Sequence, residues 1–518
     1  MHKYQIGLTA SYIALSLGGF YFIYAIKYYL SSLIALALFT MDTSKLSPEH
    51  KIHRVLAQRD SELMPLGDEP WVSIHLPFYN ELNVARRILE ACMDINYTNF
   101  EVLVADDSRD TTVEILRERG WRHGSPIIKF VHRRDRSGYK GGALKEAMRY
   151  MHPLAEYIVV FDADFVPPAN ILRQFIQKFR LHEKDTKPVA AVQGYQLHYL
   201  NRNENWITKG VRAEFSGSYM VERLAEEVYG AMKMVSGSVF MFRAGLLKKL
   251  GWNHSITEDW DLTLRLYLEG FKVVYTPLIQ APAEIPTTVR RIIRQRMRWA
   301  EGHTYAVRKY FLSVIRSGRI SLAEKLEFLY FAPYYLQSCV FIFGCFAWAV
   351  AQYYKRHPFF WTPTLGWSLV LSNFCAIPVM GLTGVFLEGD LAEDYSGVFS
   401  FIALSYFIMP YQAYAALKGL LEAEEGYWVR TLKTGHVTDY FLGVKLRGFI
   451  EWLNRLRAKR ELEFVDDLPA IRLPVRRLLL FCIVFLLCWP LLEFACGVST
   501  GQCLVNNLGY VLRGVVNG

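Results

Sequence analysis

Two pairs of aspartates follow apolar runs in the middle of this 518-residue chain. Asp162 and Asp164 flank one alanine directly after the run YIVVF. Asp106 and Asp107 follow the run FEVLVA in the same way. A carboxylate pair in such a position can hold Mg²⁺ or Mn²⁺ while diphosphate oxygens complete the coordination shell. The same residues are common in turns, so neither pair alone establishes a metal or nucleotide site.

Two further residues could take part in this chemistry: Lys140 could bind a phosphate group, and Asp259 could accept a proton. Lys140 lies in the glycine-rich loop SGYKGG, where its ammonium could reach a phosphate or a base. This loop lacks the spacing of a P-loop, and a solvated turn lysine is the alternative. Thr257, Glu258 and Asp259 begin a leucine-rich helical pattern, which is also typical of a helix N-cap with favourable charges. The functional alternative makes Asp259 a general base for an acceptor hydroxyl.

A basic segment with interleaved aromatic residues lies further along, at residues 290–299. In this segment Arg298 could bind a diphosphate, and Trp299 could stack on a sugar ring. The alternative is a helix that lies on anionic lipid. The segment by itself does not decide between the two interpretations.

The elements around these residues alternate between strands and helices. Apolar runs predict strands at residues 71–78, 100–105, 127–131 and 157–161, and a helix at 112–119. This alternation predicts an α/β fold with a mostly parallel sheet and helices on both faces. Ligands of such sheets bind beyond the carboxyl ends of the strands. Both aspartate pairs would therefore lie in one crevice.

Apolar segments flank this middle region of roughly residues 50–315. The chain is 52% hydrophobic, with a formal charge of +10. Its basic residues lie beside the apolar segments, which favours a membrane protein over a nucleic-acid-binding protein. The segments that could meet a bilayer are residues 6–40 (one span with an interfacial extension), 325–352, 364–388, 396–418 and 478–497.

Six motifs in order resemble those of the family 2 glycosyltransferases: PFYNE, DDS, GYKGGALKEAM, FDADF, TEDWDL and QRMRW. They look most like those of processive β-glycan synthases, namely cellulose synthase, hyaluronan synthase and especially the cellulose-synthase-like mannan and glucan synthases. The resemblance implies a GT-A-type, mostly parallel sheet domain inserted between α-helical transmembrane segments. It also implies inverting transfer of a sugar from a nucleotide diphospho-sugar, with Mg²⁺ or Mn²⁺ as the cofactor.

The resemblance also implies a role for the residues of each motif. Asp162 and Asp164 match the metal-binding DxD, and Asp259 matches the catalytic base of TED, beside Glu258 and Thr257. The residues expected at the nucleotide sugar are Tyr79, Glu81, Asp106, Asp107, Lys140, Asp162, Arg298 and Lys433. Those expected at the acceptor are Gln193, Gly237, Ser238, Gln295 and Trp299. The segment at about 427–436 resembles a gating loop, with matching residues at Trp428, Thr431 and Lys433.

The resemblance divides the chain into an N-terminal transmembrane and interfacial helix (1–42), a cytosolic catalytic domain (43–315) and further transmembrane and interfacial helices (316–518). It implies extension of a β-glycan and export through the protein's own helices, in a plasma-membrane or Golgi-type membrane. The alternatives are a non-processive enzyme acting on a lipid or small acceptor, and a catalytically dead secretion channel or scaffold. The expected donor is UDP-glucose first, GDP-mannose second and UDP-N-acetylglucosamine third. The expected partners are a polysaccharide acceptor and membrane lipid, and the oligomeric state is left open.

Segment 396–418 is predicted not to cross the membrane. With the catalytic domain in the cytosol, the two segments before it cross outwards and back. A third crossing would place the strongly basic stretch 422–477 outside, against the usual distribution of Lys and Arg. We therefore expect segment 396–418 to lie at the interface or to be buried in protein.

Overall fold

The computed structural model describes residues 2–40, 67–119, 127–359, 361–426, 431, 433–435 and 437. The strands in these ranges are β1 (Trp71–Phe78), β2 (Phe100–Asp106), β3 (Ile127–His132), β4 (Ala155–Val160), β5 (Val189–His198), β6 (Phe240–Arg243) and β7 (Lys272–Ala283). The helices are α1 (His2–Thr40), α2 (Ala85–Met93), α3 (Thr112–Arg119), α4 (Tyr139–Ala147), α5 (Ile171–Leu181), α6 (Trp206–Ser216), α7 (Arg223–Val228), α8 (Ala244–Leu250), α9 (Glu258–Leu268), α10 (Val289–Arg316), α11 (Leu322–Phe331), α12 (Gln337–Tyr353), α13 (Pro363–Leu387) and α14 (Leu391–Leu421).

The seven strands form one sheet in the order β3-β2-β1-β4-β6-β5-β7. Neighbouring strands are parallel except for β6, which is antiparallel to both β4 and β5. Strands β2 and β5 are buried along their whole length, because helices cover both faces of the sheet. The predicted mostly parallel sheet is confirmed, and the four predicted strands differ from the observed ones by two residues at most.

The carboxyl ends of the central strands lie level with one another. Phe78 at the end of β1 pairs with Asp106 at the end of β2, and His75 pairs with Val160 at the end of β4. The residues that follow β2 and β4 therefore emerge at the same edge of the sheet. This register brings Asp107 and Asp162 to one crevice, as the strand pattern predicted.

Three helices of the described ranges are long and apolar enough to cross a membrane: residues 3–38 of α1, residues 368–387 of α13, and α14. Helix α1 is one continuous helix of 39 residues, which agrees with a single span followed by an extension. In the extension, Ala35 and Leu38 pack into a cluster with residues of the sheet domain. Lys27 lies before these residues, and its ammonium is 2.6 Å from Glu327 Oε1 and 3.0 Å from Glu222 Oε1.

Segment 325–352 is not the continuous helix that its hydropathy suggested. Helix α11 ends at Phe331, and the 17-residue helix α12 begins only at Gln337. Pro333 lies between the two helices, and its ring and missing N–H explain the break. At 1.5 Å per residue, α12 is about 26 Å long, close to the thickness of a hydrocarbon core. The predicted segment 478–497 lies outside the described residues.

Helix α14 contacts the sheet domain near both of its ends. At its start, a Cβ on Gly397 would lie 2.4 Å from the backbone oxygen of Lys209 in α6. Near its end, a Cβ on Gly419 would lie 2.2 Å from the backbone oxygen of Glu301 in α10. These two close approaches are separated by about 33 Å of helix, which is as long as a bilayer core is thick. Both ends of α14 therefore pack against the sheet domain, and the absence of a membrane crossing in segment 396–418 stays a prediction.

Candidate active site

A cavity of about 320 Å³ opens at the carboxyl edge of the sheet. Strand ends, the start of α9 and the first turns of α10 contribute its walls. It brings together most of the residues that the motifs singled out, namely Tyr79, Glu81, Asp107, Lys140, Asp162, Asp164, Gly237, Thr257, Glu258, Asp259, Gln295, Arg298, Trp299, Thr431 and Lys433. Trp428 lies outside the described residues.

Lys140 is one of the cations that line this cavity. The glycine-rich loop before α4 turns tightly, since a Cβ on Gly142 would lie 2.1 Å from the Ser137 backbone oxygen. The Lys140 ammonium donates to the Gly237 carbonyl at 2.7 Å, and it lies 2.7 Å from Asp162 Oδ1 and 3.3 Å from Glu258 Oε1. Burial opposes the charge of Lys140, but the two carboxylates outweigh burial and raise its pKa. A permanent cation therefore lies where diphosphate charge could be bound.

Asp162 and Asp164 are both paired with lysines. Asp162 contacts Lys140, and Asp164 Oδ2 lies 2.5 Å from the Lys433 ammonium. Burial, together with the neighbouring Asp164, raises the pKa of Asp162 although Lys140 acts in the opposite direction. The Asp162 side chain is still 38% exposed to the cavity.

The carboxylates of this pair fit a hard divalent cation. Both attract cationic groups in the structure, and carboxylate oxygens are the donors that Mg²⁺ and Mn²⁺ prefer. In the part of the chain that the structure describes, no cluster of three or more His, Cys, Asp and Glu residues could hold a metal alone. The two carboxylates leave coordination positions that diphosphate oxygens could fill.

Asp259 lies in the first turn of α9 beside Gly237. A Cβ on Gly237 would lie 3.0 Å from Asp259 Oδ2 and 3.4 Å from the Lys140 ammonium, and its φ of +76° suits only glycine. Asp259 Oδ1 accepts a hydrogen bond from its neighbour Trp260 N at 2.9 Å. Burial, reinforced by the charge of Glu258, raises the pKa of Asp259 to about 7 despite Lys140. A carboxyl group that titrates near neutral pH is suited to general base catalysis.

The end of the cavity near β1 and β2 presents an aromatic ring and paired charges. Asp107 is held by Arg133 through Nε at 2.7 Å and Nη2 at 2.6 Å. Burial raises the pKa of Asp107, although Arg133 opposes this. The guanidinium of Arg136 lies 3.4 Å from the ring centroid of Tyr79, at stacking distance. Neither arginine was predicted from the sequence, although the run HRRDR at the end of β3 is a signal that could have revealed them.

The opposite end is lined by aromatic side chains. The guanidinium of Arg296 lies over the Trp299 ring at 4.3 Å and pairs with Glu214 at 2.6 Å. Tyr334 and Tyr335, from the break between α11 and α12, also line the cavity. These tyrosines were not predicted, because their stretch has the hydropathy of a membrane span. An aromatic wall of this kind is suited to packing against sugar rings.

Three residues that were expected to contact ligands are buried behind the cavity wall. The Asp106 carboxylate is fully buried, where it pairs with His132 Nδ1 at 2.7 Å and accepts from Ser108 N at 3.0 Å. Gln193, also fully buried, donates to the Ser238 carbonyl at 3.0 Å. Ser238 Oγ accepts from Asp162 N at 2.9 Å. Asp106, Gln193 and Ser238 do not line the cavity, because their polar atoms hold strand ends in place, and their direct contact with a ligand stays a prediction.

Comparison with known proteins shows what the part of the chain that forms this site is similar to. Residues 70–302 match the family model described as "Glycosyltransferase like family 2". The rice protein glucomannan 4-beta-mannosyltransferase 1 (Oryza sativa subsp. japonica) is 31% identical over 270 residues, 50% of this chain and 51% of that protein. Glucomannan 4-beta-mannosyltransferase 7 of Arabidopsis thaliana is 29% identical over 294 residues, 55% of this chain and 52% of that protein. The chain spans about half the length of the curated relatives it matches.

A solved structure shares the fold. It is a mannosyltransferase from Pyrobaculum calidifontis in complex with GDP-Man and Mn²⁺, with a TM-score of 0.52 and 19% identity, and the match covers 80% of this chain and 100% of that one. At this identity the likeness concerns the fold alone, and it confirms the expected GT-A-type architecture. The family model and the relatives confirm the resemblance seen in the motifs: residues 70–302 are similar to the family 2 glycosyltransferases.

Proposed function

We propose that the protein is an inverting mannosyltransferase that takes GDP-mannose as its donor and extends a β-linked polysaccharide. The observation that carries this proposal is the position of Asp259. Its carboxyl group, with a pKa of about 7, shares one cavity with the cationic Lys140 and with the aromatic Trp299. A base thus lies in the same cavity as a phosphate-binding group and a sugar-stacking group.

Asp259 acts as the general base in this proposal. Its carboxylate takes the proton of an acceptor hydroxyl, and that oxygen forms a bond to the anomeric carbon of the donor sugar. The bond from the anomeric carbon to the diphosphate breaks in the same step, and GDP leaves with the electron pair. An α-linked donor gives a β-linked product, because attack comes from the opposite face. A single displacement of this kind differs from the paired carboxylates of glycosidases.

The departing diphosphate meets the cationic side of the cavity. Lys140, Lys433 and Arg298 all line it and offer donors to phosphate oxygens. Asp162 and Asp164 would hold a Mg²⁺ or Mn²⁺ ion, which neutralises charge on a leaving diphosphate when bound. Burial lowers the pKa of Arg298, although Glu258 and Asp259 oppose this, so the guanidinium gains from a bound anion.

GDP-mannose replaces UDP-glucose as the first choice of donor. The relatives with about 30% identity are named mannosyltransferases, which gives no support to the earlier order of donors. The same names, together with the aromatic wall of Trp299, Tyr334 and Tyr335, favour a polysaccharide as the acceptor. Helices α1, α12 and α13 would anchor the enzyme in a membrane with the sheet domain on the cytosolic side, where nucleotide sugars are available. Export of the polymer through these helices completes the proposal.

The experiment is a donor screen on the purified full-length chain. GDP-mannose, UDP-glucose and UDP-N-acetylglucosamine are each supplied with Mn²⁺ and a mannan oligosaccharide, and release of nucleoside diphosphate is measured. We expect release from GDP-mannose and a product that a β-mannanase digests. The Asp259→Asn variant is the matched control for hydrolysis by contaminants. Release from UDP-glucose alone would refute the donor assignment, and products longer by only one sugar would refute polymer extension.

A further inference from the structure

A buried carboxylate directly after β7 holds the segment 433–435. Glu284 is 1% exposed, and its Oε1 accepts from Thr434 N at 2.5 Å and from Thr434 Oγ1 at 2.8 Å. Gly435 N donates to its two oxygens at 3.0 and 2.9 Å. Arg87 Nη2, 3.4 Å from Oε2, supplies the counter-charge. A buried carboxylate with this many donors is well satisfied, so the contact between Glu284 and the segment is a specific one.

The backbone of the segment fits closely against the loop before α2. Asn83 Nδ2 donates to the Lys433 carbonyl at 3.0 Å. Gly435 has a φ of +74°, and a Cβ there would lie 2.6 Å from the Asn83 carbonyl oxygen. Only glycine combines this backbone conformation with this closeness. The docked position therefore depends on Gly435 as well as on Glu284.

Docking determines where the Lys433 side chain lies. Its ammonium donates to the Glu284 carbonyl at 2.7 Å and to Asp164 Oδ2 at 2.5 Å. Lys140 makes the equivalent contact with Asp162 at 2.7 Å. The two aspartates thus carry two negative charges that two lysines already balance.

This balance has a consequence for metal binding. A divalent cation that enters alone meets two fixed ammonium groups. The two lysines, the two aspartates and the cation then carry an excess of two positive charges. A nucleotide diphospho-sugar that enters alone leaves an excess of about two negative charges. When the cation and the nucleotide bind together, the site is neutral. Charges in a partly buried site interact strongly, so joint binding is favoured over the binding of either one alone.

We propose that Glu284 is a positioning residue that docks segment 433–435, so that Lys433 screens Asp164 and the site accepts a divalent cation only together with a nucleotide diphosphate. The proposal rests on the metal and nucleotide site of the proposed function, but it does not depend on which sugar is transferred. It makes Lys433 a built-in substitute for the metal in the nucleotide-free enzyme.

The test measures Mn²⁺ binding to the purified full-length chain by electron paramagnetic resonance of free Mn²⁺, with and without GDP. We expect weak binding to the wild type without GDP and much tighter binding with it. The Lys433→Met variant should bind Mn²⁺ without nucleotide about tenfold more tightly or better, within the usual range of coupling between sites. Glu284→Gln should reproduce that gain, and the double variant should gain no more than either single one.

A second variant changes the other side of the docked contact, at Gly435. Gly435→Ala should also strengthen the binding of Mn²⁺ without nucleotide. It keeps the pair of Glu284 and Arg87, so it tests the proposal even if Glu284→Gln fails to fold. Gly230→Ala is the matched control, because Gly230 has a φ of +67° but open space around its Cβ, and it should bind Mn²⁺ as the wild type does. Equal Mn²⁺ affinity with and without GDP in the wild type would overturn the proposal. Wild-type affinity in both Lys433→Met and Glu284→Gln would also overturn it. Absence of turnover with GDP-mannose would instead refute the donor assignment and leave these measurements unaffected.

Discussion

Replacing Asp259 by asparagine should abolish transfer and yet stabilise the protein. Burial and Glu258 raise the pKa of Asp259 from its ordinary 3.8 to about 7. The carboxyl group therefore contributes stability below about pH 4, and that contribution is lost as the pH rises through 7. About three pKa units correspond to about 4 kcal/mol. Because the half-buried side chain lines the cavity, screening reduces the expected effect to about 1–2 kcal/mol.

Asparagine cannot ionise, so the variant does not lose this stability at high pH. At pH 8 we expect Asp259→Asn to melt a few degrees above the wild type in detergent, with a smaller difference at pH 5. Loss of the base should lower GDP release by about 10² to 10⁴-fold. Asp94→Asn is the matched control, since Asp94 is exposed and remote from the cavity, and neither quantity should change. A variant that turns over within tenfold of wild type would refute the base assignment, and one that melts lower at pH 8 would refute the buried-charge reasoning.

Three further predictions concern the same site and its placement. Glu258→Gln should move the acidic limb of the rate–pH profile to lower pH, because Glu258 raises the pKa of Asp259. Glu146→Gln is the control, because Glu146 is half-buried outside the cavity and pairs with Arg149, and it should leave the limb in place. An upward shift in Glu258→Gln would contradict the assignment. Excess EDTA should stop transfer and added Mn²⁺ should restore it, whereas Asp164→Asn should stay inactive at any Mn²⁺ concentration; full activity in EDTA would exclude a metal role for the pair. A cysteine at the exposed Glu424, in a background without native cysteines, should react with an impermeant maleimide only after cells are opened. Labelling in sealed cells would show that α14 crosses the membrane.

The motifs led to the candidate site because their residues lie at strand ends. Asp107 and Asp162 follow β2 and β4, and parallel strands bring such positions to one edge whatever the details of packing. Residues that line the cavity from distant elements were harder to predict. Tyr335 lies in a helix break within a stretch whose hydropathy resembles a membrane span, and Arg136 belongs to a loop whose direction depends on β3.

Local sequence determined the chemistry that is available, namely the carboxylates, lysines and aromatic rings of the motifs. It also determined the parallel sheet, because alternating apolar runs can be buried in few other ways. Tertiary structure alone decided which groups face the cavity. Asp106 and Asp107 are adjacent, yet successive residues point to opposite sides, so Asp106 is paired with His132 behind the wall. The contact of Lys433 with Asp164 joins residues 269 positions apart, and no local pattern specifies such a pairing, since it depends on how α14 returns the chain to the sheet.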